Sequence, residues 1–127
     1  MGWVDLLFTF RGRINRAKFW AGVIILWVVS IVINLAIAEV FVTRYDPQQV
    51  FPTMAPLAWT VWLLAAVAIA YMSLAVFAKR WHDRDKSGWW SLIILVPFVG
   101  SIWALVECGC LPGTEGPNRY GADPLAV

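Results

Sequence analysis

The segment Leu57–Ala78, LAWTVWLLAAVAIAYMSLAVFA, holds no charged residue and stops abruptly at Lys79-Arg80. As a helix its 22 residues extend roughly 33 Å at about 1.5 Å per residue. That length fits a bilayer hydrocarbon core of about 30 Å. Two similar runs flank it. Phe19–Val42 carries Glu39 as its one charge, and Trp89–Val106 carries none. At 24 and 18 residues they would reach roughly 36 and 27 Å as helices. The first two cross a membrane with some tilt, and the third is just long enough.

Charge placement orients these runs. Eight of the ten Lys and Arg residues lie in two clusters, Arg11-Arg13-Arg16-Lys18 and Lys79-Arg80-Arg84-Lys86. Basic residues collect on the cytoplasmic side of a membrane protein. The expected architecture is therefore an all-α membrane protein with three transmembrane helices, its N-terminus cytoplasmic. The sequence divides a single membrane domain, 1–127, into a basic interfacial segment 1–18, helices over 19–42, 57–78 and 89–106, and an irregular tail 107–127 placed outside. One alternative stays open. Pro97-Phe98-Val99-Gly100 would turn the third run into a re-entrant hairpin and return the tail to the cytoplasm.

Composition agrees with the membrane class. Apolar residues make up 61% of the chain and charged residues 14%, too little charge to cover a soluble domain this small. The net charge of +2 is too small to suggest nucleic acid, whereas the two basic clusters suit anionic lipid headgroups. The first apolar run is too long for a signal peptide and no small-residue cleavage site follows it, so it is expected to stay as an anchor. Trp20, Trp81, Trp89 and Trp90 are expected at the inner interface, and Trp59, Trp62 and Trp103 near the outer one.

Local signals refine the elements. Trp3, Leu6, Leu7 and Phe10 share a face at helical spacing, in a segment too short to span and suited to lying in the interface. Gly12 ends it, and Asn15 suits the N-cap of the first long helix. Asn34, well inside that helix, reads as glue between helices rather than as a relay. Asp46-Pro47 and Pro52 through Pro56 mark an outer loop, with Pro56 placed where a first-turn proline is tolerated. Ala66 and Ala70 form a small-xxx-small pair that favours close helix approach, which places the second helix centrally. Ser87 or Gly88 begins the third helix, and Pro97 kinks it near Gly100.

Chemistry is sparse. His82-Asp83 is the one pair suited to acid–base work near neutral pH. No recognisable nucleophile motif accompanies it, and a structural role is the better reading. Asp83 is expected to pair with Arg80, one turn back, or with Lys79. Cys108 and Cys110 are too close in sequence for an unstrained disulfide. They lie across the bilayer from His82 in the three-span arrangement, so no metal site is expected. Glu39 alone is ionisable within the runs, which argues against a transport path. No cofactor is implied. In the tail, Gly and Pro exclude regular structure, while Asn118, Tyr120 and Gly121 can form a turn that folds back on the helix ends or docks on a partner.

Taken in order, the motifs resemble a known family. They are Phe10-Arg11-Gly12-Arg13-Ile14-Asn15-Arg16-Ala17-Lys18-Phe19-Trp20, Lys79-Arg80-Trp81-His82-Asp83, Ser87-Gly88-Trp89-Trp90, Pro97 with Gly100, and Gly113-Thr114-Glu115-Gly116-Pro117-Asn118-Arg119-Tyr120-Gly121-Ala122-Asp123-Pro124. The family is that of small bacterial inner-membrane proteins catalogued as domain of unknown function 805. Its pattern often has Leu where Trp81 stands. The resemblance implies a bacterial inner-membrane location and a few helices, and brings no reaction, substrate or cofactor.

Three functional expectations follow. The first is a non-enzymatic accessory or scaffold protein that packs against a larger membrane complex or associates with itself. The second is binding of anionic lipid headgroups or small anions by Arg11, Arg13, Arg16, Lys79, Arg80, His82 and Lys86. The third, a membrane enzyme using His82 and Asp83, is weaker.

Overall fold

The computed structural model describes residues 1–41 and 56–126. The expected outer loop, including Arg44, Asp46-Pro47 and Pro52, lies outside the described residues, as does Val42. Helix α1 is Trp3–Phe8, α2 is Arg16–Phe41 and α3 is Pro56–Asp83. Both α2 and α3 are long and apolar enough to cross a membrane.

Each boundary has a local cause. Asp5 at the third position of α1 accepts a long hydrogen bond from the Gly2 N–H at 3.4 Å, and Thr9 Oγ1 donates back to the Asp5 carbonyl at 2.8 Å. Extended backbone at Thr9 then ends the helix. Leu6 points inward and Trp3 stays exposed, so the expected shared face is split. Phe10 meets Tyr71 edge-on at 5.2 Å, and Tyr71 Oη donates to the Phe8 carbonyl at 3.1 Å. Asn15 caps α2 as expected, its Oδ1 accepting from the Lys18 N–H at 2.9 Å.

Helices α2 and α3 pack along a seam of Phe19, Leu26 and Val76, with Leu6 of α1 in the same buried cluster. Phe19 stands edge-on to Phe77 at 5.0 Å. Further along, Trp62 Nε1 donates to Asn34 Oδ1 at 3.1 Å, while Asn34 Nδ2 donates to the Ser30 carbonyl at 2.8 Å. Asn34 is thus the interhelical glue its position suggested. Ala66 and Ala70 do not close the seam. They line a cavity of about 240 Å³ beside Ser30 and Asn34. Elsewhere the long helices are uncovered: Trp27 is 72% exposed and Leu64 67%. A lipid-facing surface of this kind needs no polar cover.

The third apolar run departs from a single spanning helix and takes the alternative that Pro97-Phe98-Val99-Gly100 left open. It is not one helix but a hairpin. A 3₁₀ arm, Gly88–Leu95, goes up, and α4, Val99–Leu105, returns and ends in a π turn, Val106–Cys110. The reversal has a physical cause. Pro97 cannot continue the hydrogen-bond ladder, Val96 is extended, and Phe98 adopts a left-handed φ of 61°. Gly100 lets the arms touch, since a Cβ there would lie 1.7 Å from the Ile93 carbonyl oxygen. A side chain of any size would push them apart. Ser87 begins the first arm as expected, accepting from the Trp89 N–H at 3.3 Å.

The hairpin also places the tail at the same end of the bundle as Arg13 and Arg80, which donate to its carbonyls, and not at the opposite end. Trp103 is on the returning arm. Trp81 is fully buried within the protein core.

Candidate functional site at the basic end

The polar motifs converge where α1, the start of α2, the end of α3 and the tail meet. Asp83 is the centre. Its carboxylate accepts from Arg80 one turn back and from Arg13 Nε at 3.1 Å, and Arg13 Nη2 lies 3.0 Å away as an ion-pair contact. Both guanidinium groups are buried, with Arg80 0% and Arg13 5% exposed. A charge that deep needs all its polar atoms satisfied, and the tail supplies the partners. Arg13 donates to the carbonyls of Thr114 at 2.6 Å, Gly116 at 2.7 Å and Gly121 at 3.2 Å. Arg80 donates to the carbonyls of Cys108 at 2.6 Å and Leu111 at 2.5 Å. The planar fork of arginine suits several fixed carbonyls at once.

Lys79 is not the partner of Asp83. Its ammonium donates to the Leu6 carbonyl at 2.6 Å and to that of Asp5. These carbonyls belong to the last turn of α1, where the Asp5 oxygen also accepts from Thr9, so Lys79 ties that helix to α3.

His82 is half-buried and its ring stacks flat on Tyr120, with centroids 4.0 Å apart and planes 6° apart. Nδ1 lies 3.1 Å from the Gly12 carbonyl. A carbonyl only accepts, so Nδ1 carries the hydrogen. Asn118 Nδ2 donates to the His82 carbonyl at 2.9 Å, and Asn118 and Gly121 exchange two backbone hydrogen bonds of 3.0 Å. Gly121 has a φ of 136°, which glycine adopts without strain. The tail turn therefore folds back as its residues suggested, with the Tyr120 ring covering the His82 imidazole.

Glu107 closes the hairpin. Its carboxylate accepts from Lys86 Nζ at 2.7 and 2.8 Å and from Arg84 Nη2 at 3.1 Å. Burial opposes its ionisation, yet Lys86 and Arg84 together hold the carboxyl below its usual range. Asp123 is also held low, because its carboxylate accepts backbone N–H bonds from Leu125 and Gly116.

The seven basic candidates are thus gathered at one end but not onto one open face. Arg13, Lys79 and Arg80 point inward. His82 and Lys86 are half-buried and partnered. Arg11 and Arg16 are exposed, Arg16 donating to the Cys110 carbonyl at 3.0 Å. Of the structural positions, Ser87, Pro97 and Gly100 lie in the hairpin, Gly88 packs closely on Ala78 of α3, and Asp83, Asn118, Tyr120 and Gly121 lie where the tail meets α3. Sequence reasoning missed Glu107. Its signal was a lone carboxylate closing an apolar run, opposite two unpaired cations that precede the run. Among the described residues no three His, Cys, Asp or Glu side chains converge as metal ligands.

Two apolar helices long enough to cross a membrane, an apolar hairpin and a buried polar knot at one end define a small helical membrane protein. The chain belongs to the family described as Protein of unknown function (DUF805), which matches residues 7–122. It is 31% identical over 115 residues to the inner membrane protein YhaH of Escherichia coli (strain K12), covering 91% of this chain and 86% of that protein. It is 35% identical over 115 residues to the inner membrane protein YhaI of the same strain, covering 91% and 85%. The uncharacterized protein YiiR of that strain is 28% identical over 145 residues, covering 95% and 89%. No solved structure matches the chain.

Proposed function

We propose that this protein is a non-enzymatic accessory or scaffold subunit of the bacterial inner membrane, packing against a larger membrane assembly. The observation that supports this is the use made of its charged motifs. Arg13, Arg80 and Asp83 are buried in one another and in tail carbonyls, so these motifs build a shape. The pair best suited to acid–base chemistry, His82-Asp83, is divided between a Tyr120 stack and two arginines. The uncovered faces of α2 and α3 offer ample surface for partner helices as well as lipid. The basic clusters favour a multi-pass arrangement with the knot on the cytoplasmic side.

Extraction in native lipid discs tests the reading. A membrane protein recovered in stoichiometric amount is the expected result. Recovery of the chain alone, with anionic lipid enriched around it, would overturn the scaffold role. It would favour headgroup binding through the exposed Arg11 and Arg16.

A further inference from the structure

The burial of α3 is uneven along its length. Ala58 is buried near its start, and no further residue is buried until Ala75. From Ala75 to Asp83 most of the helix is covered. The cover comes from elements gathered at the basic end. The 3₁₀ arm runs antiparallel beside α3, with Gly88 against Ala78 and Leu92 lining the same groove as Leu74. Helix α1 lies at this level too, held by Lys79 and by the Tyr71 hydroxyl. Toward the other end, α2 and α3 stand alone among the described elements.

The hairpin has half the reach of the long helices. Its first arm, eight residues, rises about 16 Å at about 2.0 Å per residue. Half of a hydrocarbon core of about 30 Å is about 15 Å. Lys86 and Glu107, ion-paired at 2.7 Å, close the base, so both arms start from one polar level. Beyond it the run Trp89–Val106 carries no charge. Trp89, at the base, is 79% exposed, as suits a ring at a membrane interface. The tip is bare and apolar, with Leu95 77% and Phe98 85% exposed. Its turn spends backbone groups internally: the N–H groups of Val96, Val99 and Gly100 donate to the Ile93, Pro97 and Val96 carbonyls. That suits hydrocarbon, where an unpaired backbone group is costly.

We propose that the hairpin tip rests in lipid hydrocarbon near the bilayer midplane, within the leaflet at the basic end, and that the protein is a wedge favouring membrane whose basic-side leaflet is convex. Helix α1 and both arms add cross-section to that leaflet and none to the other. Area added on one side is accommodated best where that side is stretched, which is why helices lying in an interface respond to curvature.

The full-length chain in giant vesicles tests this, with a short tag after Val127 labelled by a membrane-impermeant dye. Only copies with the basic end outside take the dye. A narrow tether pulled outward makes that leaflet convex. Relative to a lipid dye, the tag should be denser in the tether than on the vesicle body. Phe98→Asp should remove the enrichment. Asp tolerates a left-handed φ and the position is exposed, so the fold is kept while a charge drives the tip out of hydrocarbon. Protease protection of the tail checks the fold. A second measurement reads depth. A fluorophore on Phe98→Cys, with Cys110→Ser removing the exposed native thiol, should be quenched most by lipids brominated near their chain ends. Equal tag density in tether and vesicle would overturn the wedge, as would enrichment that Phe98→Asp leaves unchanged. Quenching only by headgroup-side bromine would place the tip outside the acyl chains, and no quenching would place it against another protein. Either result overturns the proposal.

Discussion

The Arg13 guanidinium and the Asp83 carboxylate lie 70 residues apart in sequence and 3.0 Å apart in space. The pair joins the segment before α2 to the end of α3, and the tail carbonyls complete it. Removing one member of a buried pair leaves an uncompensated charge, which typically costs about 3–5 kcal/mol. Asp83→Ala should therefore lower thermal stability sharply and expose the tail to protease. Arg11→Ala, at an exposed position, should change stability by less than about 0.5 kcal/mol. Thermal melts of the two variants in the same detergent check both outcomes.

The returning hairpin makes a topological prediction. Lys86 and Glu107 flank the third run and are ion-paired, so the run begins and ends at one face of the bundle. Tags placed before Met1 and after Val127 should report the same side of the membrane. Opposite sides would restore a third crossing and contradict the hairpin.

Much of this molecule is legible residue by residue in the sequence. Leu57–Ala78 gives a spanning helix by length and lack of charge, Asn15 gives a cap, and Asn34 gives a contact between helices. The hairpin is harder to read because hydropathy measures length and not direction. A kink and a reversal at Pro97 differ in the backbone of Phe98, and an apolar residue with positive φ leaves no mark in composition. The basic clusters were legible as a shared end of the bundle. Their inward aim was not, because Arg13 finds Asp83 and the tail only after distant segments fold together. Local periodicity carries no information about such pairs.

Gly100 tests the hairpin from within. A methyl there would meet the Ile93 carbonyl oxygen at 1.7 Å, far inside van der Waals contact. Overpacking of this kind typically costs about 1–3 kcal/mol. Gly100→Ala should loosen the arms and with them the Glu107 contacts, while α2 and α3 still insert. The expected readout is faster proteolysis near Leu111 with unchanged membrane fractionation. A variant as protease-resistant as the parent would show that the arms are not held this closely.

Acid should release the tail before it affects the long helices. Glu107 and Asp123 both have folded-state pKa values below their usual 4.5 and 3.8. For a carboxylate lowered by folding, the stabilisation is fully present above the unfolded pKa. It is lost as pH falls through the folded value. Tail protection should therefore be flat from neutral pH down to about 5 and decline as the pH drops below about 4. Protonation removes the acceptor that Lys86 and Arg84 share, and the one that holds the Gly116 and Leu125 N–H groups. Glu107→Gln should weaken tail protection at neutral pH and flatten its fall in acid, leaving the Asp123 part. Limited proteolysis across a pH series, with an acid-tolerant protease, measures both curves. An unchanged acid profile in Glu107→Gln would remove Glu107 from the hairpin's closure.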